Sequence, residues 1–187
     1  MRTRAERGFS LVELMITIAI IGLAAGVVTP ALLSSLPAMR TSAAAREVLS
    51  DCRYARTYAV EKGLSVVLDF DSAPTPHYRL FQDKNANNTY ESATDTMLKQ
   101  VDLTASYSGI TLKSSVSGTP SDGVDLNGAG ANWVRFNTNG TANSSGSVYV
   151  MPSADAGTTR TDRNRRVRVV QYTGSVSIES YSGGSWQ

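Results

Sequence analysis

The chain has 187 residues, and the part that follows an N-terminal apolar run has a length usual for one domain. Its single cysteine, Cys52, excludes an intramolecular disulfide, so packing must hold the fold. The formal net charge is +2, and Arg2, Arg4 and Arg7 against Glu6 account for all of it. The remaining side chains are formally balanced, which does not favour a strongly basic nucleic-acid-binding protein.

The most informative stretch begins at Gly8–Glu13 and continues as an apolar run. No residue from Leu14 to Met39 is charged, and at about 1.5 Å per residue this run can cross a hydrocarbon core of roughly 30 Å. The arginines before it fit retention on the cytoplasmic side of a membrane. A carboxylate near the centre of a bilayer costs on the order of 3 kcal/mol, so Glu13 at the start of the run requires a partner.

Two simpler interpretations share this hydropathy. A secretory signal peptide also places arginines before an apolar run, and Ala24-Ala25-Gly26 could serve as its cleavage site. Such a signal, however, has an apolar core of about 7–15 residues and no use for Glu13. A plain single-pass anchor has the same hydropathy but does not require Gly8-Phe9.

The N-terminal sequence GFSLVELMITIAIIGLAAGVVTPAL resembles the N-terminus of type IV pilins and type II secretion pseudopilins. The resemblance implies that a prepilin peptidase cuts after Gly8 and methylates Phe9. It implies that Glu13 pairs with the N-terminal amine of a neighbouring subunit during assembly. The expected organisation is a leader over residues 1–8, a transmembrane and assembly helix over 9–39, and an amphipathic helix with a β-domain over 40–187. The resemblance places the chain in the bacterial inner membrane with a periplasmic domain, and then in a filament.

The segment after the apolar run predicts an amphipathic helix from Thr41 to Lys62, with Gly63 as its stop. Its apolar residues recur at helical spacing: Val48, Leu49, Cys52, Ala55, Ala59 and Val60. Cys52 on this face is expected to be a small core residue rather than a reactive thiol. Pro30 and Pro37 each remove a backbone donor and are expected to interrupt, kink or loosen the helix before it.

The rest of the chain is strand-like, with runs rich in Val, Tyr and Phe between Gly, Asn, Ser and Pro clusters. The predicted strands are Leu64–Phe70, Tyr78–Gln82, Met97–Leu103, Ile110–Lys113, Trp133–Phe136, Val148–Met151, Arg166–Tyr172 and Val176–Ser180. Thr173-Gly174 predicts a tight hairpin turn, and Ser114–Asn132 is expected to be a surface loop. The predicted fold class is α+β, and the resemblance makes it pilin-like: a long N-terminal helix packed on an antiparallel β-sheet domain.

The β-domain resembles the GspH/FimT-type minor pilins and pseudopilins. The segments WVRFNTNGTANSSGSVYV and RRVRVVQYTGSVSI carry this resemblance, and Phe136, Gly140 and Gly174 match its pattern. The resemblance implies a minor subunit of the priming or tip complex. Ser175 and Ser177 stand where the pattern has the arginines that are tied to DNA binding in some members.

An arginine cluster nearby provides an alternative route to DNA. Arg160, Arg163, Arg165, Arg166 and Arg168 lie close together in the sequence. Arg166 and Arg168 would share one face of a strand, where they could contact phosphates. The competing interpretation is a solvated edge strand whose charges prevent aggregation.

A second cluster of polar residues resembles the start of a calcium-binding loop. Asp83, Asn85 and Asn87 occupy positions one, three and five, and Glu91 occupies position nine. The pattern departs at position six, where Asn88 replaces glycine, and at position twelve, which is Thr94. The alternative is a turn in which these side chains bond their own backbone.

The sequence lacks a recognisable catalytic pair. The only histidine, His77, has no second histidine to pair with and is expected to be an ordinary loop residue. An enzyme on a membrane anchor is therefore disfavoured. The sequence predicts a structural subunit whose partners are the prepilin peptidase, other pilin or pseudopilin subunits and the inner membrane, with no cofactor unless calcium binds. The alternative is a DNA-binding minor pilin.

The processing site yields a first prediction. Glycine has no side chain to obstruct a protease, so Gly8→Leu should block cleavage. Intact-mass analysis of the protein extracted from membranes should show methylated Phe9 at the mature N-terminus of the wild type and the uncut leader on the variant. Normal maturation of the variant would contradict this assignment.

Overall fold

The computed structural model describes residues 9–71, 75–126 and 132–187, except for the side chain of Ala31. The predicted leader, including Gly8, lies outside the described residues. The chain divides into two compact units, Met1–Leu36 and Pro37–Gln187. One helix, α1 (Leu11–Lys62), contributes to both units.

The expectation that prolines interrupt the helix was wrong, because α1 contains both Pro30 and Pro37. Each proline removes only one backbone donor from a helix of 52 residues, so the bonds on either side can still hold it. Two hydroxyl groups near the prolines also bond carbonyls of the helix, although not the carbonyls that the prolines leave without a donor. Thr29 Oγ1 donates to the Ala25 carbonyl at 2.8 Å. Thr41 Oγ1 donates to the Pro37 carbonyl, also at 2.8 Å.

The second half of α1 is amphipathic, as predicted. Its buried face consists mainly of small side chains that follow helical spacing: Ala44, Ala45, Val48, Cys52, Ala55 and Ala59. The assignment of Val60 to this face was wrong, because Val60 is 52% exposed and lies one residue beyond Ala59, about 100° around the helix. Gly63 follows the helix with a positive φ of 65°, the left-handed conformation of a C-terminal stop.

Within the described residues after α1, the structure has ten strands and a short helix, α2 (Leu103–Ser106). The strands in chain order are β1 (Val66–Asp71), β2 (His77–Gln82), β3 (Thr96–Asp102), β4 (Ile110–Leu112), β5 (Val124–Asp125), β6 (Trp133–Phe136), β7 (Gly146–Pro152), β8 (Arg165–Val169), β9 (Val176–Ser182) and β10 (Ser185–Trp186). Each of the eight predicted strands overlaps one of them. His77 begins β2 and so does not lie in a loop.

The strands form two antiparallel sheets rather than one. The first sheet has the order β3-β2-β1-β6, and the second has the order β10-β9-β8-β7-β4, with β5 also paired to β7. Two short strands, β4 and β5, pair with the same edge of β7: Leu112 of β4 pairs with Val150, and Val124 of β5 pairs with Val148. Residues of α1 and of both sheets belong to one hydrophobic core.

The expectation of a surface loop over Ser114–Asn132 holds for residues 114–122, which form no helix or strand and are not buried, but was wrong for residues 123–126. Val124 and Leu126 within it are 4% and 0% exposed, and β5 lies there. A two-residue strand with a single apolar neighbour gives no periodic signal, so the sequence pattern could not reveal it. Residues 127–131 of this segment lie outside the described residues.

A polar cluster joins α1 to the first sheet. The buried Tyr78 hydroxyl donates to Asp51 Oδ2 at 2.6 Å, and Lys99 Nζ donates to the same oxygen at 2.7 Å and to Glu47 Oε1 at 3.0 Å. Burial raises the pKa of Tyr78, and the Asp51 carboxylate raises it further. Every charged group in this cluster has a partner, so the helix is held to β2 and β3 in one register.

The packing of α1 yields a second prediction. A fragment of residues 37–187 should be soluble and monomeric, because it omits the apolar run and keeps the helix face that covers the sheets. A fragment that begins at Gly63 should lose cooperative thermal melting, since the apolar side chains of the sheets would be exposed. Circular dichroism and gel filtration measure both results, and a cooperative melt of the shorter fragment would contradict the packing assignment.

A point-variant pair tests the same face at constant length. Ala55 is fully buried and Ser50 is exposed on the same helix. Ala55→Arg should lower the free energy of unfolding by several kcal/mol, because it forces a charge into the core. Ser50→Arg should change it by no more than about 0.5 kcal/mol.

Candidate functional site

The start of α1 has the features of a capped helix. The Glu13 backbone N–H donates to Ser10 Oγ at 3.2 Å, and the Leu14 N–H donates to the Ser10 carbonyl at 3.2 Å. Ser10 is therefore the N-cap, and Glu13 is the third helical residue, the position at which a capping-box acid lies. A carboxylate in the first turn also interacts favourably with the helix dipole. The Ser10-x-x-Glu13 spacing in the sequence is typical of a capping box, but this helix cap was not predicted from it.

The helix beyond Glu13 exposes apolar side chains around its whole circumference. The segment Leu11–Pro30 has a mean hydropathy of 2.5, and its most apolar stretch contains no buried residue. Phe9 is 78% exposed, and Leu11, Ile20 and Leu23 are more than half exposed. Among the described residues this is one helix with the length and composition needed to cross a membrane. A soluble monomer rarely leaves so much contiguous apolar surface uncovered, so the helix requires lipid or other helices.

The arginine cluster on and before β8 is largely paired with acids. Arg163 forms a buried ion pair with Asp155, in which Nε donates to Oδ2 at 2.8 Å. Arg166 Nε donates to Glu179 Oε2 at 2.9 Å, and its guanidinium also stacks on Trp186 at 4.8 Å from the ring centroid. These two side chains are only 11% and 18% exposed. They pack and pair within the domain, which leaves little of their charge for phosphates.

The remaining arginines of the cluster differ in exposure. Arg168 is 54% exposed, and its Nη1 lies 3.9 Å from Glu179 Oε1. Arg165 donates from Nη1 to the Asn164 carbonyl at 2.9 Å, and burial lowers its pKa below the usual arginine value. Arg160 pairs with Asp162 at 2.9 Å. The structure brings Arg166 and Arg168 to one acid, Glu179, on the neighbouring strand β9.

In the loop between β2 and β3, three of the four predicted calcium ligands contact one another, and the fourth, Asp83, bonds the main chain of the same loop. Asn85 Nδ2 and Asn87 Nδ2 donate to the two Glu91 carboxylate oxygens at 3.0 and 2.8 Å, and Asp83 Oδ2 accepts from the Asn88 N–H at 3.0 Å. Asp95 closes the loop by accepting from the Lys84 and Glu91 N–H groups. Among the described residues no three His, Cys, Asp or Glu side chains group as metal ligands. A cation here would need amide and main-chain oxygens as well.

Gly140 and Gly174, the two glycines that matched the β-domain pattern in the sequence, lie against each other in the structure. Gly140 and Gly174 both have a positive φ, 80° and 58°. A Cβ on Gly174 would collide with the Gly140 carbonyl oxygen and lie 3.1 Å from Arg56 Nε. Arg56 Nε donates to that same carbonyl at 2.9 Å. The predicted hairpin joins β8 to β9, but the expectation of a tight turn at Thr173-Gly174 was wrong, because the connection spans residues 170–175. Within it the Gly174 N–H donates to the Val170 carbonyl at 2.8 Å.

The contact of Arg56 with Gly140 could not be predicted from the sequence, because an arginine on the polar side of an amphipathic helix is usually solvated. Its neighbour one turn earlier, Arg53, donates to the Val176 carbonyl at 3.4 Å. Both guanidinium groups therefore bond main-chain carbonyls beside the loop between β8 and β9, which contains Ser175. The positive charge at this corner comes from α1.

Comparison with known families agrees with both halves of this architecture. Residues 3–29 match the family described as Prokaryotic N-terminal methylation motif. Residues 44–174, more than half of the chain, match the family described as Type II transport protein GspH. The chain belongs to the GspH family. No curated protein sequence matches it.

Solved structures show the same fold as this GspH-family chain. The minor pseudopilin EpsH from the type 2 secretion system of Vibrio cholerae has a TM-score of 0.52 and 13% identity, over 75% of this chain and 97% of EpsH. The type IV minor pilin FimU of Pseudomonas aeruginosa has a TM-score of 0.52 and 14% identity, over 79% of this chain and 92% of FimU. At these identities the similarity establishes the fold: a long N-terminal helix followed by antiparallel β-sheets.

The contact between the two family glycines yields a third prediction. Gly174→Ala must adopt a left-handed φ and also displace the Gly140 backbone. Gly183 has a φ of 60°, and a Cβ at that position would meet nothing within 4 Å, so Gly183→Ala isolates the conformational cost of about 1–2 kcal/mol. Gly174→Ala should cost at least about 1–3 kcal/mol more. Equal urea midpoints for the two variants of the 37–187 fragment would contradict this contact.

Proposed function

We propose that this GspH-family chain is a structural minor pilin or pseudopilin. A prepilin peptidase removes the leader after Gly8 and methylates Phe9, and the apolar part of α1 holds the protein in the bacterial inner membrane with its β-domain in the periplasm. The subunit then assembles with other pilin or pseudopilin subunits into a type IV pilus or a type II secretion pseudopilus, in the priming or tip complex. The supporting observation is an uncovered apolar helix that carries one acid, Glu13, in its first turn.

The chemistry of that acid supports an assembly role. In lipid an ionised carboxylate is costly, and a buried charge is tolerated when an opposite charge pairs with it. The new N-terminal amine of a processed neighbour is a cation at the same membrane depth, because it too precedes an apolar helix. Pairing with it would neutralise Glu13 only when two subunits lie side by side. The acid would thereby favour assembled subunits over isolated ones.

Small residues on the same helix support close contact between subunits. Ala19, Gly22, Ala24, Ala25 and Gly26 lie within the apolar run, and a Cβ at Gly22 or Gly26 would meet nothing within 4 Å. In membranes such residues let helix backbones approach closely. The helix therefore offers both a packing surface and an ionic contact to a neighbouring subunit.

DNA binding is the weaker candidate. Two arginines of the cluster that suggested it, Arg163 and Arg166, are paired with Asp155 and Glu179 and are largely buried. Arg160 and Arg168 remain 54% exposed, but each lies beside an acid, and partly neutralised cations provide little of the counterion release on which affinity for DNA depends. Pilins and pseudopilins are structural subunits and not enzymes, so a catalytic role is not proposed.

The fourth prediction separates charge pairing from helix capping at Glu13. Glu13→Gln keeps an acceptor that can serve the capping box but removes the charge, whereas Glu13→Leu removes both. Both variants should insert and be processed, and both should be recovered in sheared filaments or co-purified complexes at about one tenth of the wild-type level or less. Immunoblots of the membrane and filament fractions measure this.

The pattern of recovery distinguishes the roles. Loss in Glu13→Leu alone would assign the residue to helix capping. Wild-type recovery of both variants would contradict the pairing role and favour the outermost position of the filament, where no neighbour supplies an amine.

A further inference from the structure

Among the described residues, four buried side-chain atoms have no hydrogen-bond partner, and the carboxylate of Asp83 holds the one that belongs to an acid. Asp83 is 3% exposed, and its Oδ1 atom has no hydrogen-bond partner among the described residues. The other oxygen, Oδ2, accepts from the Asn88 N–H at 3.0 Å, which places the carboxylate across the loop that runs from residue 83 to residue 88. A buried anionic oxygen without a partner is strongly unfavourable, so this position calls for a cation.

We propose that the β2–β3 loop, Asp83 to Asp95, binds a calcium ion through Asp83 Oδ1. The further ligands are the carboxamide oxygens of Asn85 and Asn87, the main-chain carbonyl of Thr89 at position seven, and the Glu91 carboxylate. This set follows the one-three-five-seven-nine spacing of calcium loops. The site is independent of the assembly role proposed for α1.

The alternative of a simple polar turn explains only part of the geometry. The Asn85 and Asn87 side-chain oxygens accept from the Asn87 and Thr89 N–H groups at 3.2 and 2.9 Å, as in Asx turns. Each of these oxygens retains a second lone pair, so such bonds are compatible with coordination. The turn alone leaves Asp83 Oδ1 buried and unpaired, whereas a cation pairs with it.

The rest of the loop is held in place by groups that are not ligands. The Asp95 carboxylate is 7% exposed and accepts from the Lys84 and Glu91 N–H groups at 3.1 and 2.9 Å, which ties the start of the loop to its end. At position six, Asn88 adopts the left-handed φ of 62° that glycine usually provides. Arg135 on β6 fixes it by donating from Nη1 to Asn88 Oδ1 at 2.9 Å.

The ligand set predicts a weak site that prefers calcium to magnesium. Only two ligands, Asp83 and Glu91, carry full charge, and position twelve is Thr94 instead of a bidentate glutamate. Low charge and a missing bidentate ligand place the site in the range of extracellular modules, about 0.1–1 mM. Magnesium requires a near-ideal octahedron with shorter bonds, which a loop of mixed amide and carbonyl oxygens does not supply.

The test is calcium binding by the full chain in detergent micelles, measured by isothermal titration calorimetry. The wild type should bind one ion per chain with half-saturation near 0.1–1 mM, and magnesium should bind at least about tenfold more weakly. Asp83→Asn and Glu91→Gln should each weaken binding about tenfold or more. Asp102→Asn, which changes an exposed carboxylate at the N-cap of α2, should leave it within about twofold.

Thermal melting separates lost binding from lost folding. Without calcium, Asp83→Asn should melt at the wild-type temperature or above, because it removes a buried unpaired charge. Calcium should raise the melting temperature of the wild type and of Asp102→Asn but not that of Asp83→Asn. Absence of saturable binding up to about 10 mM calcium, or equal affinity in the wild type, Asp83→Asn and Glu91→Gln, would overturn the proposal.

Terbium luminescence locates the ion. Tyr90 lies within the loop, with its ring 5.4 Å from that of Phe81, and a tyrosine beside a bound terbium ion sensitises its emission. Tyr90→Phe should reduce this emission at least about threefold while calcium affinity stays unchanged, because the hydroxyl is not a ligand in the loop pattern. Unchanged emission in Tyr90→Phe would place the ion elsewhere and overturn the proposal.

Discussion

The fold depends on the burial of one face of α1 in the core that it shares with the two sheets. Four of the six side chains on its buried face are alanines, and Ala44, Ala45, Ala55 and Ala59 are completely inaccessible. Because the helix contributes mostly small side chains, the larger residues of the core, such as Phe70, Tyr78 and Phe136, come from the strands and fill most of its volume. Without that helix face both sheets would present their apolar residues to water.

Polar contacts then determine where along the helix each sheet lies. Asp51 receives the Tyr78 hydroxyl and Lys99 from the first sheet, while Arg53 and Arg56 on the next turn donate to main-chain carbonyls at Val176 and Gly140. These bonds are directional, whereas apolar contacts are not, so they specify one register among several that would bury a similar area. The polar residues of α1 thereby select the arrangement that its apolar residues stabilise.

The elements with strong periodicity could be predicted from sequence. The helix from Thr41 to Lys62, its stop at Gly63 and the eight main strands each had a repeated pattern or a turn signal. The sequence could not reveal β5 or the role of Arg56, because both depend on partners distant in the chain: Val148 on β7 for the strand and Gly140 for the arginine. The expectation that Pro30 and Pro37 interrupt the helix was wrong for the opposite reason. The rule that proline ends a helix considers only neighbouring residues, whereas the many other bonds of the long helix α1 keep it continuous.

The candidate sites differ in the same way, because some depend on a local sequence motif and others depend on partners distant in the chain. Gly8, Phe9 and Glu13 belong to a contiguous motif, so the resemblance of that motif to pilin and pseudopilin N-termini was enough to suggest the assembly hypothesis. The arginine cluster looked like a basic patch because its counter-charges, Asp155 and Glu179, lie 8 and 13 residues from Arg163 and Arg166. A charge run read from sequence counts every cation, whereas a folded strand exposes only those that its neighbours leave unpaired. The same reasoning applied to anions sets Asp83 apart, because its Oδ1 is buried and no described group satisfies it.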